Sequence, residues 1–172
     1  MVKQQVGGVI LLLVGVGLVA GAVIGPFGTY QDVQSHETTT AEITSSDMES
    51  ETEQEDGETQ VEYYPRVEYE YTVDGTGYTD NRIFHASQVN NEPGELRGKE
   101  FDSQSDARDV ADRYQSDSSA TVRYDPDNPE TSYLEDPSND LLITTGMMGL
   151  FGLLAGGAGI GGLLGIVSLD NE

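Results

Sequence analysis

The chain is 172 residues long and carries 31 acidic against 8 basic residues, a formal charge of −23, with no cysteine. Phosphate neutralisation needs a basic surface, so nucleic acid is excluded as a partner; the missing thiol excludes disulfides, thiolate nucleophiles and cysteine-ligated zinc. The mean hydropathy of −0.40 averages two opposed regions, because nearly all the charge lies between two apolar ends, and the roughly 110 residues between them suffice for one small domain.

After a tail at residues 1–5, residues 6–27 read VGGVILLLVGVGLVAGAVIGPF and hold no charge. At 1.5 Å per residue that is about 33 Å of helix, enough to cross a bilayer. A cleavable signal peptide is the rival reading, since Lys3 gives a positive start and Ala20, Gly21 and Ala22 are small. The apolar run exceeds the usual signal core of about 7–15 residues, which favours an uncleaved span. Residues 28–140 then form the acidic domain, entered by a linker at residues 28–36. Residues 38–45, TTTAEITS, are β-branched enough for a strand. Residues 46–60 carry a heavy acidic load and almost no apolar side chain, which predicts a mobile acidic hairpin loop. The ligand spacing and central glycine of an EF-hand loop are missing there.

Residues 63–73, YYPRVEYEYTV, alternate, with Val67, Tyr69, Tyr71 and Val73 on one face and Glu68, Glu70 and Thr72 on the other. Period two with aromatic and β-branched residues predicts a half-buried strand, its tyrosines packing the core rather than forming a stacking platform. Asp74, Gly75, Thr76 and Gly77 supply a turn, and residues 78–84 return antiparallel. Residues 85–98 read as a loop. Ala107, Val110, Ala111 and Tyr114 fall at helical spacing behind Ser103 or Ser105 as N-cap, with Asp109 and Arg113 as an i,i+4 pair. Residues 120–124 add a strand, and the two prolines of Asp125-Pro126-Asp127-Asn128-Pro129 stop the sheet and fix a turn. These Asx side chains suit turn capping; a divalent ion on the same oxygens is the alternative.

Residues 141–169, between Asp140 and Asp170, are again free of charge and long enough to span with tilt, leaving residues 170–172 as a second tail. Lys3 precedes the first span and no basic residue follows it until Arg66, so both termini are predicted cytoplasmic and the central domain extracellular, in the cell membrane. Gly17, Gly21 and Gly25 recur every fourth residue, as do Gly152 with Gly156, and Gly157 with Gly161 and Gly165. Such stripes let helix backbones approach in lipid, between the two spans or between protomers.

Two blocks, VEYEYTVDGTGY from Val67 and TVRYDPDNPETSYLE from Thr121, resemble a family of two-span membrane proteins catalogued as domain of unknown function 3592. The turn Tyr124, Asp125, Pro126, Asn128 and Pro129 is the most specific part. The surplus of carboxylates with little lysine resembles haloarchaeal proteins, in which they keep a surface hydrated in strong salt. The resemblance implies a fold of two transmembrane α-helices flanking a small β-rich α+β extracytoplasmic domain, of antiparallel strands plus one short helix, over essentially the full chain. Two features depart from the family: Ser118 and Ser119 stand where glycine is common, and the acidic loop is an addition. The family has no activity to carry over.

No GxSxG elbow, P-loop or HExxH occurs, and His36 and His85, in a linker and a loop, have no second ligand at metal spacing. No catalytic residue, cofactor or metal is therefore assigned, and the chain is not expected to be an enzyme. The expected partners are the lipid bilayer and either a second copy or another membrane protein. The expected role is display of an extracytoplasmic interaction domain, as an envelope protein or membrane-complex accessory. A cation-binding or ligand-sensing ectodomain is the alternative, and a transport-related subunit comes third because no ionisable residue lies inside either span.

Overall fold

The structure, a computed structural model, describes residues 2–55, 58–89 and 98–164. In chain order the elements are α1 (Val2–Ile24), α2 (Pro26–Ser35), β1 (Glu37–Glu55), β2 (Glu58–Val73), β3 (Thr76–Asp80), α3 (Gln104–Ala111), β4 (Ser119–Asp125), β5 (Asn128–Tyr133) and α4 (Ser138–Leu163). They divide into a helical unit, built from both ends of the chain, and a sheet unit, Gln34–Pro137.

In the helical unit the expected linker after the first apolar run is itself helical. Proline suits a first helical turn because its φ is preset and its missing N–H has no partner there. The backbone continues across the junction, with Thr29 N–H donating to the Gly25 carbonyl at 3.0 Å, and the Phe27 and Tyr30 rings stack at 6.3 Å. The apolar helix thus runs Gln5–Ser35, 31 residues, or about 46 Å. At the other end, α4 starts three residues before the expected span and carries Asp140 in its first turn, where negative charge complements the helix dipole. Residues 165–172 lie outside the described residues. Both helices are long and apolar enough to cross a membrane, and they turn large apolar side chains outward: Ile24 is 81% exposed and Leu153 70%.

In the sheet unit five antiparallel strands lie in the order β3-β2-β1-β4-β5. Alternation puts Val67, Tyr69 and Tyr71 of β2 into one core with Ala41 and Ile43 of β1, Val122 and Tyr124 of β4, and Val110 of α3. Helix α3 buries Ala107, Val110 and Ala111, the stripe expected from the sequence. Ser103 occupies the N-cap position without a capping bond, because its hydroxyl contacts Ser105 Oγ at 2.7 Å. Arg113 reaches Glu135 at 2.8 Å rather than closing the expected pair with Asp109.

The expected mobile loop at residues 46–60 is instead the outer half of β1 and β2, laddered from Ser46↔Val67 to Glu55↔Glu58; residues 56 and 57 lie outside the described residues. Ladder bonds need only backbone, and period two lets carboxylates project into water without breaking them. Arg66 anchors the ribbon to Glu49 at 2.9 Å, and buried Tyr64 donates to Glu62 at 2.6 Å. The register slips between Ile43 and Ser45, a bulge that bends β1 where the sheet ends and the ribbon begins.

Strand β3 is also shorter than the expected return over residues 78–84. The Asp80 carboxylate accepts from the amides of Asn81 at 2.7 Å and Arg82 at 3.3 Å, an Asx turn that takes the chain off the sheet edge. Conversely, the sheet does not stop at the prolines, because β5 resumes at Asn128.

In the ribbon Glu51 lies directly opposite Glu62, and like charges across a ladder are destabilising. Hydrogen exchange of the ribbon amides will therefore slow by a factor equivalent to about 1 kcal/mol between 0.2 M and 3 M KCl, while the core strands change less; equal slowing in both would contradict this.

Candidate functional site

The two edge strands of the sheet, β3 and β5, contact one another although they stand at opposite ends of the strand order. No ladder joins them; polar side chains do. Arg82 grips Asp80, with Nε 3.0 Å from both carboxylate oxygens and Nη2 2.6 Å from Oδ2, and Nη2 also donates to the Glu130 carbonyl of β5. Ser132 of β5 donates to Asp80 Oδ2 at 2.8 Å. Tyr69 Oη lies 2.9 Å from the Arg82 carbonyl and 3.0 Å from Ser132 Oγ, and Tyr71 donates to the Pro129 carbonyl at 2.5 Å. Below this clasp, the amides of Leu134 and Glu135 both donate to the Ile83 carbonyl. Burial, then the charge of Asp80, pushes the Tyr69 phenol far above its ordinary range, so it acts as a neutral hydrogen-bonding strut.

The turn singled out from the sequence supplies one side of this closure. Tyr124 is buried and donates to Glu37 at 2.8 Å. Asp125 accepts from the Asp127 amide at 2.9 Å, closing a two-residue turn at Pro126 and Asp127. Asn128 then donates to Thr131 Oγ1 at 3.0 Å. Pro129 does not break the sheet because it lies in an edge strand, where its missing N–H is no loss, and its carbonyl is the acceptor for Tyr71.

In the helical unit the crossing of α1 and α4 is made by glycine against backbone. A Cβ placed on Gly15 would fall 2.6 Å from the Gly152 carbonyl oxygen, on Gly152 2.9 Å from that of Gly15, and on Gly159 2.7 Å from that of Gly8. Of the residues picked by spacing, Gly152 lies in this crossing and Gly156 offers its backbone to Gly15, while a Cβ on Gly21 meets only Met148, and on Gly25 its own helix's Gly21 carbonyl. At Gly17 and Gly157 a Cβ would meet nothing. Gly161 is half-buried, and Gly165 lies outside the described residues. Gly8, Gly15 and Gly159 were missed because the four-residue spacing recurs on several faces of these helices. Thr144 and Thr145 of α4 are satisfied within the helix, donating to the carbonyls of Asp140 and Leu141 at 2.8 and 2.7 Å.

Sequence spacing gave no reason to connect the two histidines, yet the fold brings their rings to 6.2 Å. Tyr133, 1% exposed, lies against both, its ring 5.6 Å from His36 and 4.9 Å from His85.

The domain described as domain of unknown function DUF3592 matches residues 39–139, more than half of the chain. The chain belongs to the DUF3592 family. No curated protein and no solved structure matches it. The DUF3592 match covers nearly the whole sheet unit and only the first two residues of α4, a narrower extent than the full-chain resemblance expected. Both blocks singled out in the sequence contribute to the clasp, Tyr69 and Tyr71 from the first and Pro129 and Ser132 from the second, while Asp80 and Arg82 lie between them.

Three outcomes follow. Arg82→Ala will leave the largely buried Asp80 with one cation fewer and lower the unfolding free energy by about 2 kcal/mol, discounted for the exposed arginine head; Tyr71→Phe will lose about 1 kcal/mol. In detergent, Gly15→Ala will lower the melting temperature of the helical unit while Gly17→Ala leaves it unchanged or raised; equal effects would contradict the crossing.

Proposed function

We propose that the chain is an integral membrane protein, of the cell membrane, whose two apolar helices hold the DUF3592 sheet domain outside the cell, with both termini cytoplasmic. The observation that carries this reading is the outward-turned apolar surface of α1 and α4, with Ile24 and Leu153 among the most exposed side chains. In water such a surface would drive aggregation; in hydrocarbon it is the favourable arrangement. The glycine crossing supports it further, because close backbone approach is how helices associate where no hydrophobic effect separates them from solvent. Sidedness rests on Lys3 at the N-terminal end of the first helix and on the absence of basic residues from there to Arg66.

The role that best fits this arrangement is display of an interaction domain, as an envelope protein or as an accessory of a larger membrane complex, and not catalysis. In support, the most elaborate polar network in the sheet unit is committed to joining the edges of its own sheet. The acidic surface fits a high-salt, halophilic exterior, where the screening length falls to about 3 Å and dense carboxylates repel only locally.

Alkaline carbonate will leave the chain in the vesicle pellet, and protease added to intact cells will cut between the two helices. Release into the supernatant would overturn the membrane reading; an uncut centre in intact cells that is cut after lysis would overturn the sidedness alone. Detergent extraction with cross-linking will capture a second copy or a partner, and a strictly monomeric species would count against the accessory role.

A further inference from the structure

The hairpin formed by the outer halves of β1 and β2 is two-faced. Its register runs without a slip from Ser46↔Val67 to Gln54↔Thr59, so alternate residues share a face. One face carries Asp47, Glu49 and Glu51 of β1 with Glu62 of β2, and Arg66, bound to Glu49, is its one cation. The other carries Met48, Ser50 and Thr52 of β1 against Pro65, Tyr63 and Val61 of β2. Every position on it, from Ser46 to Gln54 and from Thr59 to Val67, is uncharged. Exposure on this uncharged face rises outward: Pro65 is buried, Met48 and Tyr63 are half-buried, and Ser50, Thr52 and Val61 are exposed. Among the described residues of the sheet unit, Val61 is the one large apolar side chain that is exposed, at 40%. Beyond the pairing of Tyr63 with Phe101 the ribbon is two strands wide among the described residues, and a two-stranded hairpin is at best marginally stable in water unless a face is covered.

We propose, on the membrane reading above, that this uncharged face is an interface between two copies of the chain, packed face to face about a two-fold axis with Val61 near its centre. Charge selects the occupant. A cationic partner would be drawn to the carboxylates of the opposite face, whereas a chain of charge −23 can approach its own copy closely only through a surface without charge. An isologous contact needs the same patch on both copies, and packing neutral face on neutral face leaves both acidic faces in water. The face measures roughly 30 by 10 Å, well below the ~800 Å² per partner of a stable soluble complex. It therefore acts only between copies already confined in one bilayer, where local concentration compensates for the small area.

The chain lacks cysteine, so a single introduced thiol reports alone. The test is cross-linking of the full chain in phospholipid vesicles with a short bismaleimide, comparing Val61→Cys with Gln60→Cys, its neighbour on the acidic face. Covalent dimer is expected at position 61 and not at 60, and more of it at high than at low KCl, because salt screens the repulsion between the acidic faces. Thr52→Cys, directly opposite Val61, will also link, and adding Val61→Glu will lower that yield at least about tenfold because an unpaired carboxylate would be buried. In dilute detergent, thiols at positions 60 and 61 will react with a monofunctional maleimide at similar rates. Equal linking at both positions would overturn the proposal. So would a position 61 that is shielded in dilute detergent, since the chain would then cover this face itself. A chain that stays out of the vesicles would remove the membrane reading and this interface with it; a chain that enters them and links at neither position would remove the interface alone.

Discussion

The sheet unit depends on the junction between its two edge strands. A twisted five-stranded sheet leaves two rows of unpaired backbone groups, and here the strands that carry them are drawn together by Arg82, Asp80, Ser132, Tyr69 and Tyr71. Side chains rather than a ladder make the junction because β3 turns away at the Asp80 carboxylate, which is also the acceptor that Arg82 and Ser132 need. One residue therefore ends a strand and holds its neighbour. The near-complete burial of Asp80, 8% exposed, makes the arrangement stringent, because a desolvated carboxylate requires every donor it is given.

This junction also joins two blocks that lie far apart within the residues matched to DUF3592. The alternating tyrosines and the Asp-Pro-Asp-Asn-Pro turn look unrelated as sequence, yet each supplies hydrogen-bond partners to the other. Tyr71 and Pro129 are 58 positions apart, and only the fold makes them neighbours.

What could be read in advance followed from local pattern. The core face of β2 and the buried stripe of α3 are set by spacings of two and of three to four residues, and the two apolar helices by long runs without charge. Expectation failed where a backbone preference outweighed composition or where partners were distant. Residues 46–55 carry Met48 as their one apolar side chain but need none to extend an existing ladder. Pro129 reads as a stop because nothing local announces that its strand lies at an edge. Residues 28–36 read as a linker from sequence, whereas helical bonding continues past Gly25, whose carbonyl accepts from Thr29, and α2 runs to Ser35. The meeting of His36 with His85 had no local signal at all, and the crossing through Gly8, Gly15 and Gly159 was obscured by the abundance of glycine on every side of both helices.

The bulge in β1 has a mechanical meaning for the long arm it introduces. At Ile43 the amide donates to the Ser118 carbonyl and the carbonyl accepts from the Asp117 amide, so this residue is held from the flank that the arm beyond it lacks. Unzipping that begins at the tip of the arm meets lateral restraint first at Tyr63, whose amide and carbonyl both pair with Phe101, then at Ser46, whose hydroxyl donates to the Ala111 carbonyl, and only then at Ile43. The part of the ribbon beyond Tyr63 can therefore open and reseal as a separate leaf while the five strands behind it stay shut.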